Sequence, residues 1–258
     1  MPPTALAIRR VTRDINTVMT ETGMGYFYIP DDTEVMHGWA VVIGPTDTPY
    51  EGGAFCFDVR FPDNYPFEPP VFTYLTNDGL TRFNPNLYKN GKVCLSLLNT
   101  WQGEQWSGVQ SLSSILQCIQ TAVLTEEPLR NEPGYSEMRT HTDFEPYKRM
   151  VFQAVLQTAI LRSLAEPPEY LVPVYDGVRT AVIAAAPRLL AKARALAAEW
   201  DGKVETMSFF GMTVRYRFGE YARRLEAVVA DAAAAAAATG GGGGAGGAGA
   251  AAADDCEF

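Results

Sequence analysis

Histidine, paired cysteines and long apolar runs are scarce in this sequence, and each scarcity excludes a class of protein. Two histidines are present, and the four cysteines form neither a C-x-x-C pair nor a cluster with histidine, so no structural metal site is expected. Free thiols of this kind are typical of a reducing compartment, the cytosol or the nucleus. No apolar run approaches the roughly 20 residues that span a bilayer. Arg9 and Arg10 interrupt the only early apolar group, so neither a membrane anchor nor a signal peptide is predicted.

Positive charge is also in short supply. The chain of 258 residues carries 21 Lys and Arg against 30 Asp and Glu, a formal net charge of −9, and no basic run stands out. Nucleic acid is therefore not expected as a partner. The hydrophobic fraction of 47% suffices for a sizeable core, in one large domain or two small ones.

The pattern of the first half predicts an α+β fold. Apolar residues at helical spacing predict a helix over residues 4–20, with arginines on its more polar side. Four strands follow, each bounded by turn residues, at 26–29, 39–43, 54–61 and 71–75. A helix followed by such a series indicates an antiparallel meander rather than alternating βαβ units.

Two later segments carry possible contact surfaces. Residues 62–70 hold too many prolines for regular strand pairing, so they are predicted to form an extended loop. Phe67 in this loop is either a core residue or an exposed anchor, and its size favours the core. Ser107 is predicted to cap a helix that ends near Leu124. The weakly charged face of this helix is either a contact surface or a plain solvated one.

The stretch from Phe83 to Leu98 holds the candidate reactive group. Cys94 follows Asn86 by eight residues, with turns predicted at Asn84–Asn86 and at Asn90–Gly91. Residues 92–95 are predicted to enter a strand, which would hold the thiol on rigid backbone beside amide donors. Such a cysteine either forms a thioester or is an ordinary buried residue, since free cysteine often behaves as a small hydrophobe.

Taken in order, these segments resemble the ubiquitin-conjugating enzyme domain over residues 4–165. The resemblance rests on the first helix, the meander, the YPFEPP loop, the Asn-Pro-Asn turn, the cysteine and the helix marked by Trp106. The family's usual signature is His-Pro-Asn with a cysteine eight residues after the asparagine, and here Asn84 takes the histidine position. The longer loop between Cys94 and Trp106, with the KVCLSLLNTW and NEPGY segments, resembles one branch. That branch contains the giant inhibitor-of-apoptosis conjugating enzyme and the large hybrid conjugating-enzyme/ligase proteins.

The resemblance implies a reaction and assigns residues to it. Cys94 would accept ubiquitin as a thioester from an activating enzyme and pass it to a substrate lysine or to a ligase. Asn86 would donate a hydrogen bond to the oxyanion of the tetrahedral intermediate, or would hold its loop together, and Asn84 would replace the histidine structurally. Glu132 would orient the attacking lysine, with a surface salt bridge as its alternative role. No cofactor is implied, because the upstream activating enzyme uses the ATP.

The resemblance also implies three partner surfaces, and it reverses the interpretation of Phe67 drawn from size alone. The matching positions are Phe67, Gly108 and Val109 for ligases; Arg9, Arg10 and Arg13 for the activating enzyme; and Ser114, Gln117 and Thr121 for donor ubiquitin.

Two other functions fit parts of the sequence. A catalytically silent ubiquitin-binding variant would share the fold, although such relatives usually lack the cysteine. A cysteine hydrolase would need His37 or His141 to reach Cys94.

The chain divides into three predicted segments. Residues 1–165 form the conjugating core, residues 166–231 a helical extension, and residues 232–258 a disordered Ala/Gly tail whose alanine part could extend the last helix. The extension either packs on the core or forms a separate module, and its residues 204–216 are a loop or a hairpin. Because the sequence begins just ahead of the first helix, the chain is expected to be a compact member or a fragment.

Overall fold

The computed structural model describes residues 2–240. Residues 241–258 of the predicted tail, which include Cys256, lie outside the described residues. The first element is helix α1 (Ala5–Thr20). The Thr4 hydroxyl caps it by accepting a hydrogen bond from the Ala7 amide at 3.1 Å. Its buried face includes Val11, Ile15 and Val18, as its apolar periodicity predicts.

Four strands form one antiparallel sheet in the order β1-β2-β3-β4. They are β1 (Tyr26–Pro30), β2 (His37–Ile43), β3 (Ala54–Arg60) and β4 (Val71–Tyr74). Four consecutive residues of β3, from Ala54 to Phe57, are buried. Since successive side chains of a strand point to opposite faces, the central part of the sheet is covered on both sides. The predicted α+β meander is confirmed.

The segment after the sheet holds a short 3-10 turn (Ser96–Leu98) and helix α2 (Leu112–Cys118), which widens into a π-type turn (Ile119–Val123). The prediction that Ser107 caps this helix is wrong. Ser111 is the cap, in a reciprocal pair with Ser114. Residues 107–110 form a separate turn, in which the Gln110 amide donates to the Ser107 carbonyl at 3.0 Å.

The remaining elements are mostly helical. A 3-10 turn (Pro128–Asn131) precedes α3 (Phe144–Ala154), which continues through a π-type segment (Val155–Arg162) into α4 (Ser163–Ala165). After a further 3-10 turn (Glu169–Val174) come α5 (Tyr175–Trp200), the hairpin strands β5 (Val204–Met207) and β6 (Met212–Arg215), and α6 (Phe218–Gly240). Residues 232–240 therefore belong to a helix, which corrects the prediction of a disordered tail from residue 232.

The extension packs on the core instead of standing apart from it. Arg188 of α5 forms an ion pair with Glu51 at 2.5 Å. Tyr170 stacks on Trp39 of β2 with ring centroids 5.7 Å apart. Gly52 has a φ of +70°, and a Cβ there would lie 2.9 Å from Ala185 of α5, so the core loop and α5 approach closely only because Gly52 has no side chain.

Candidate active site

Cys94 lies in irregular backbone directly after two isolated bridges. Lys92 pairs with Thr73 and Val93 pairs with Leu87, so pairing ends one residue before the thiol. The prediction that residues 92–95 form a strand entry is thus right for its first two residues and wrong for Cys94. The cysteine is 2% exposed, and its thiol is covered in this conformation.

Asn86 is bonded to Cys94 through both its backbone and its side chain. The Cys94 amide donates to the Asn86 carbonyl at 2.9 Å. In return the Asn86 amide nitrogen Nδ2 donates to the Cys94 carbonyl at 2.6 Å. Because Nδ2 carries two hydrogens, one remains to donate to an oxyanion beside the cysteine. The side-chain oxygen Oδ1 is buried and has no hydrogen-bond partner within the described residues.

Asn84 is fully buried and ties the turn to the helix behind it. Its Nδ2 donates to the Val123 carbonyl at 2.7 Å and to the Tyr50 hydroxyl at 3.0 Å. Its Oδ1 accepts from the Asn86 backbone amide at 2.8 Å. These contacts give Asn84 the structural role that the resemblance assigns to the histidine position. The Tyr88 ring, two residues after Asn86, lies under the Arg82 guanidinium, with Cζ of Arg82 3.3 Å from the ring centroid.

Glu132 is linked to this turn through its neighbour. It follows the 3-10 turn (Pro128–Asn131), and Asn131 Nδ2 lies 3.3 Å from Asn84 Oδ1. The Asn131 side chain also donates to the Ala122 carbonyl at 3.0 Å. Glu132 forms no ion pair with any residue in the range 2–240, which argues against the salt-bridge role. The chain of contacts therefore runs from Cys94 through Asn86 and Asn84 to the residue beside Glu132.

Thr100 fixes the backbone on both sides of the cysteine. Its hydroxyl donates to the Val93 carbonyl at 2.8 Å and accepts from the Leu95 amide at 2.9 Å. Its own amide donates to the Leu95 carbonyl at 3.2 Å. One side chain thus connects the longer loop to the residues immediately before and after Cys94.

Neither histidine forms a hydrogen bond with Cys94 within the described residues. His37 uses Nδ1 and Nε2 for hydrogen bonds of 2.7 Å to Asp31 and Asp58. His141 lies against the Tyr135 ring and accepts from the Asp143 amide at 3.2 Å. The cysteine-hydrolase hypothesis is not supported, because it requires one of these rings at the thiol.

Two other described cysteines are poor nucleophiles. Burial raises the pKa of the Cys56 thiol to about 11, and burial also raises the pKa of Cys118. Both therefore stay protonated near neutral pH. No group of three or more metal-binding side chains occurs between residues 2 and 240, and no helix in that part of the chain is long and apolar enough to cross a bilayer.

The residues predicted for ligases lie on two neighbouring loops. Phe67 is 73% exposed and Val109 is 91% exposed, so the interpretation of Phe67 as a core residue is wrong. A Cβ at Gly108 would lie 3.6 Å from the Pro66 carbonyl oxygen, next to Phe67. The structure thus brings the proline-rich loop and the loop after Trp106 together.

Arg10 joins α1 to that same surface. Its guanidinium donates to the Gly108 carbonyl at 2.7 Å and also to the Gln110 carbonyl. It forms an ion pair with Asp14 at 2.9 Å. Arg9 and Arg13 are exposed, so they are free to meet a partner in a way that Arg10 is not.

The predicted donor-ubiquitin face of α2 is partly occupied by contacts within the chain. Ser114 shares the capping interaction with Ser111, and Gln117 donates to the Tyr26 hydroxyl at 3.2 Å. Thr121 is exposed and donates to the Gln117 carbonyl at 2.8 Å. Of the three, Thr121 is the most accessible.

Sequence reasoning missed three residues that shape the site: Tyr50, Thr100 and Asn131. Tyr50 is fully buried, and its hydroxyl donates to the Phe83 carbonyl at 2.6 Å. It lies far from the turn in sequence, so no local pattern could have identified it. Asn131 stands directly before Glu132, and its position in the NEPGY segment was a signal that could have been used.

Comparisons with known proteins identify the family. Residues 10–155 match the family model described as ubiquitin-conjugating enzyme. The "Ubiquitin-conjugating enzyme E2 Z" of Xenopus tropicalis is 43% identical over 158 residues, which cover 61% of this chain and 50% of the relative. Its Homo sapiens counterpart is 43% identical over 152 residues, covering 58% of this chain and 43% of that protein. The human "Dual E2 ubiquitin-conjugating enzyme/E3 ubiquitin-protein ligase BIRC6" is 38% identical over 177 residues, covering 63% of this chain and 4% of its own length.

The chain spans half or less of the length of these relatives. The family match nevertheless extends over more than half of the chain, and it includes the helix, the meander, the asparagine turn and the cysteine described above. The BIRC6 match agrees with the branch suggested by the longer loop. On these grounds the chain belongs to the ubiquitin-conjugating enzyme family.

Proposed function

We propose that this chain carries ubiquitin as a thioester on Cys94, accepting it from an activating enzyme and passing it to a lysine or to a ligase thiol. The proposal rests on the two hydrogen bonds between Asn86 and Cys94. They place the Asn86 side-chain amide beside Cys94, the only cysteine between residues 83 and 98. The relatives described above are ubiquitin-conjugating enzymes, which supports ubiquitin as the modifier.

The proposed first step is a thioester exchange. The Cys94 thiolate attacks the carbonyl carbon of the incoming thioester and forms a tetrahedral intermediate with a negative oxygen. The second N–H of Asn86 donates to that oxygen, a contribution worth on the order of 3 kcal/mol in acyl-transfer sites. The intermediate then collapses, the activating-enzyme thiolate leaves and takes up a proton, and the ubiquitin carboxyl remains on Cys94.

The second step transfers the acyl group to an amine. A neutral lysine amine attacks the Cys94 thioester, the sulfur leaves as thiolate, and the amine loses a proton as the isopeptide bond forms. Glu132 would position the amine or accept that proton. This role is supported by its connection to the asparagine turn through Asn131.

The proposed partners follow from this reaction. Ubiquitin, an activating enzyme, a ligase and a protein substrate would all visit the chain, in the cytosol or the nucleus. Exposed Phe67 and Val109 would meet ligases, and Arg9 and Arg13 would meet the activating enzyme. No bound cofactor takes part, because ATP is consumed at the activating enzyme.

A charging assay tests the proposal. The chain is incubated with activating enzyme, ATP and ubiquitin, and we expect an adduct that disappears on treatment with a thiol reductant. Cys94→Ser should form an oxyester that resists reductant and yields to base, while Cys118→Ser should charge normally. If no reducible adduct forms, or if Cys94→Ser leaves it intact, the proposal is wrong.

The burial of the thiol favours a second candidate function, a catalytically silent ubiquitin-binding protein. Cys94 is 2% exposed, and thioester exchange requires a sulfur that another protein can reach. The charging assay separates the two candidates, since a silent binder would hold ubiquitin without forming any adduct.

A further inference from the structure

The tip of the β5–β6 hairpin, residues 208–211, presents an exposed aromatic ring on a rigid support. Phe209 is 54% exposed at this tip. The turn is closed by the Gly211 amide, which donates to the Ser208 carbonyl at 3.1 Å, and Gly211 takes a φ of +58°. An aromatic ring that is about half exposed and held at a fixed position can offer apolar area to a partner's side chain.

The hairpin is fastened to α3 by polar contacts. One guanidinium nitrogen of Arg149 in α3, Nη2, donates to both carboxylate oxygens of Glu205 in β5, at 2.7 and 2.9 Å. Gln153 of α3 donates to the Arg215 carbonyl at 3.0 Å and accepts from the Arg217 amide at 2.7 Å. These bonds fix the direction in which the tip points.

The tip reaches the segment between Asn86 and Cys94. Lys89 Nζ donates to the Phe210 carbonyl at 3.4 Å, and the Phe210 ring lies 5.5 Å from the Arg82 guanidinium. The hairpin tip and this segment enclose a shallow depression of about 350 Å³. Its lining residues are Arg82, Tyr88, Lys89, Asn90, Phe209 and Phe210.

On its other side the tip touches the segment that carries Glu132. The Phe209 ring lies 5.6 Å from the Tyr135 ring, and the Tyr135 amide donates to the Glu132 carbonyl at 2.8 Å. Phe209 therefore lies between two segments of the candidate site. On one side is Tyr135, three residues after Glu132, and on the other is a depression lined by Tyr88, two residues after Asn86.

We propose that this hairpin tip is part of the acceptor surface, and that Phe209 contacts an apolar side chain next to the acceptor lysine of a protein substrate. The proposal rests on the proposed function. In the proposed reaction, Glu132 positions the acceptor lysine and the lysine attacks beside Asn86. The residues next to that lysine would then lie between the Glu132 segment and the Asn86 segment, where Phe209 is located.

The other participants in the reaction have surfaces elsewhere. The candidate ligase surface is formed by Phe67 and Val109, and the candidate donor-ubiquitin face is on α2. No residue of α1, α2 or the proline-rich loop lines the depression beside the tip. The acceptor polypeptide is the one participant left without a surface, and the tip offers it apolar area.

Discharge of the charged chain to small acceptors tests the inference. Ubiquitin is first loaded on Cys94, and the loss of the thioester is then timed with free lysine, with acetyl-Gly-Lys-Gly-amide or with acetyl-Leu-Lys-Gly-amide. We expect the leucine peptide to react faster than the glycine peptide, and Phe209→Ser to remove that preference by slowing the leucine peptide roughly fivefold to tenfold. Charging and discharge to free lysine should be unchanged in Phe209→Ser.

Two further variants complete the test. Phe209→Leu keeps an apolar side chain and should retain most of the preference. Val204→Ser changes a residue of the same hairpin that is 52% exposed but lies at the opposite end of β5, and should behave as the unsubstituted chain. Equal rates for the two peptides with the unsubstituted chain, or an unaltered preference in Phe209→Ser, would overturn the acceptor surface alone. A chain that never charges would overturn the proposed function as well.

Discussion

At the scale of single residues, Asn84 shows how a buried amide can hold a turn in place of an imidazole. Each of its side-chain polar atoms has partners: Nδ2 donates to the Tyr50 hydroxyl and the Val123 carbonyl, and Oδ1 accepts from the Asn86 backbone amide and the Asn131 side chain. Satisfied polar groups of this kind contribute little net energy while intact but are costly to break, because the partners left behind stay buried.

Removing the Asn84 side chain should therefore destabilise the protein. We expect Asn84→Ala to lower the free energy of unfolding by about 2–3 kcal/mol, since the Asn86 amide loses its partner and the Val123 carbonyl keeps only a 3.4 Å contact with Asn131. Urea denaturation followed by fluorescence measures this. Asn16→Ala, on the exposed side of α1, serves as control and should change stability by less than about 0.5 kcal/mol. Equal losses in the two variants would contradict the structural role.

His37 makes stability depend on pH. Burial alone would lower the pKa of its imidazole, but the hydrogen bonds to Asp58 and Asp31 outweigh burial and nearby Arg60, so the pKa is raised above its usual 6.5. A raised folded-state pKa contributes stability that is fully present below about pH 6.5 and is lost as pH rises through the folded value.

Unfolding measured at several pH values tests this assignment. The unfolding free energy should fall as pH rises from 6 toward 9, and His37→Gln should be less stable at pH 6 and show a shallower fall. A slope that His37→Gln leaves unchanged would place the titrating group elsewhere.

Single residues also show where sequence reasoning works. The eight-residue interval predicted that Asn86 and Cys94 belong to one site, and they are bonded to each other, because the intervening chain reverses at Gly91, which has a φ of +89°. The covered state of the Cys94 thiol could not be predicted. The burial of one sulfur atom depends on how loops that are distant in sequence pack around it. Local sequence patterns do not predict that packing.

At the scale of elements, hydrogen bonds of Thr100 hold the loop after Cys94 against the residues on either side of the cysteine. The hydroxyl of Thr100 bonds to the Val93 carbonyl and the Leu95 amide, and Asn99 beside it takes a left-handed φ of 56°. These bonds restrain the residues on both sides of a thiol that must become accessible for the proposed chemistry.

Thr100→Val should loosen that restraint. Loss of two hydrogen bonds worth about 1 kcal/mol each should raise the native-state alkylation rate of Cys94 by roughly 5–30-fold. Iodoacetamide labelling followed by peptide mass spectrometry distinguishes Cys94 from the other cysteines. Thr100→Ser keeps the hydroxyl and should stay within about twofold of the unsubstituted chain. Equal labelling in Thr100→Val would show that other contacts control access.

Element types were more predictable than their ends. The first helix and the four strands follow from local periodicity, and the structure places each within a few residues of its prediction. The cap of α2 was misplaced by four residues, from Ser107 to Ser111. Both serines suit a cap, and only the turn formed by residues 107–110 determines which one is used.

At the scale of the whole molecule, the core and its extension share buried surface. Val178, Val182 and Leu189 of α5 are buried, as are Phe218 and Leu225 of α6. The sequence predicted the helices of the extension but not their docking. Docking depends on complementary shapes far apart in the chain, such as Gly52 against Ala185.

A chain ending at residue 165 should therefore be less stable than the full chain. Removing the extension exposes apolar core surface now covered by α5 and α6, at roughly 25 cal/mol for each Å². We expect a lower urea midpoint, stronger binding of a hydrophobic dye and a tendency to aggregate. Val172→Ser changes a residue of the extension that is 59% exposed, and this control should leave the midpoint nearly unchanged. If the 165-residue chain unfolded at the same urea concentration, the extension would be an independent module.

The burial of Cys94 affects how the protein responds to oxidants. Peroxide reacts with solvent-accessible thiolates, and Cys94 is only 2% exposed. Under the proposed function, molecules between reactions should therefore keep this sulfur reduced in the presence of peroxide. Molecules in which a partner has exposed the sulfur would be the ones oxidised to sulfinic acid.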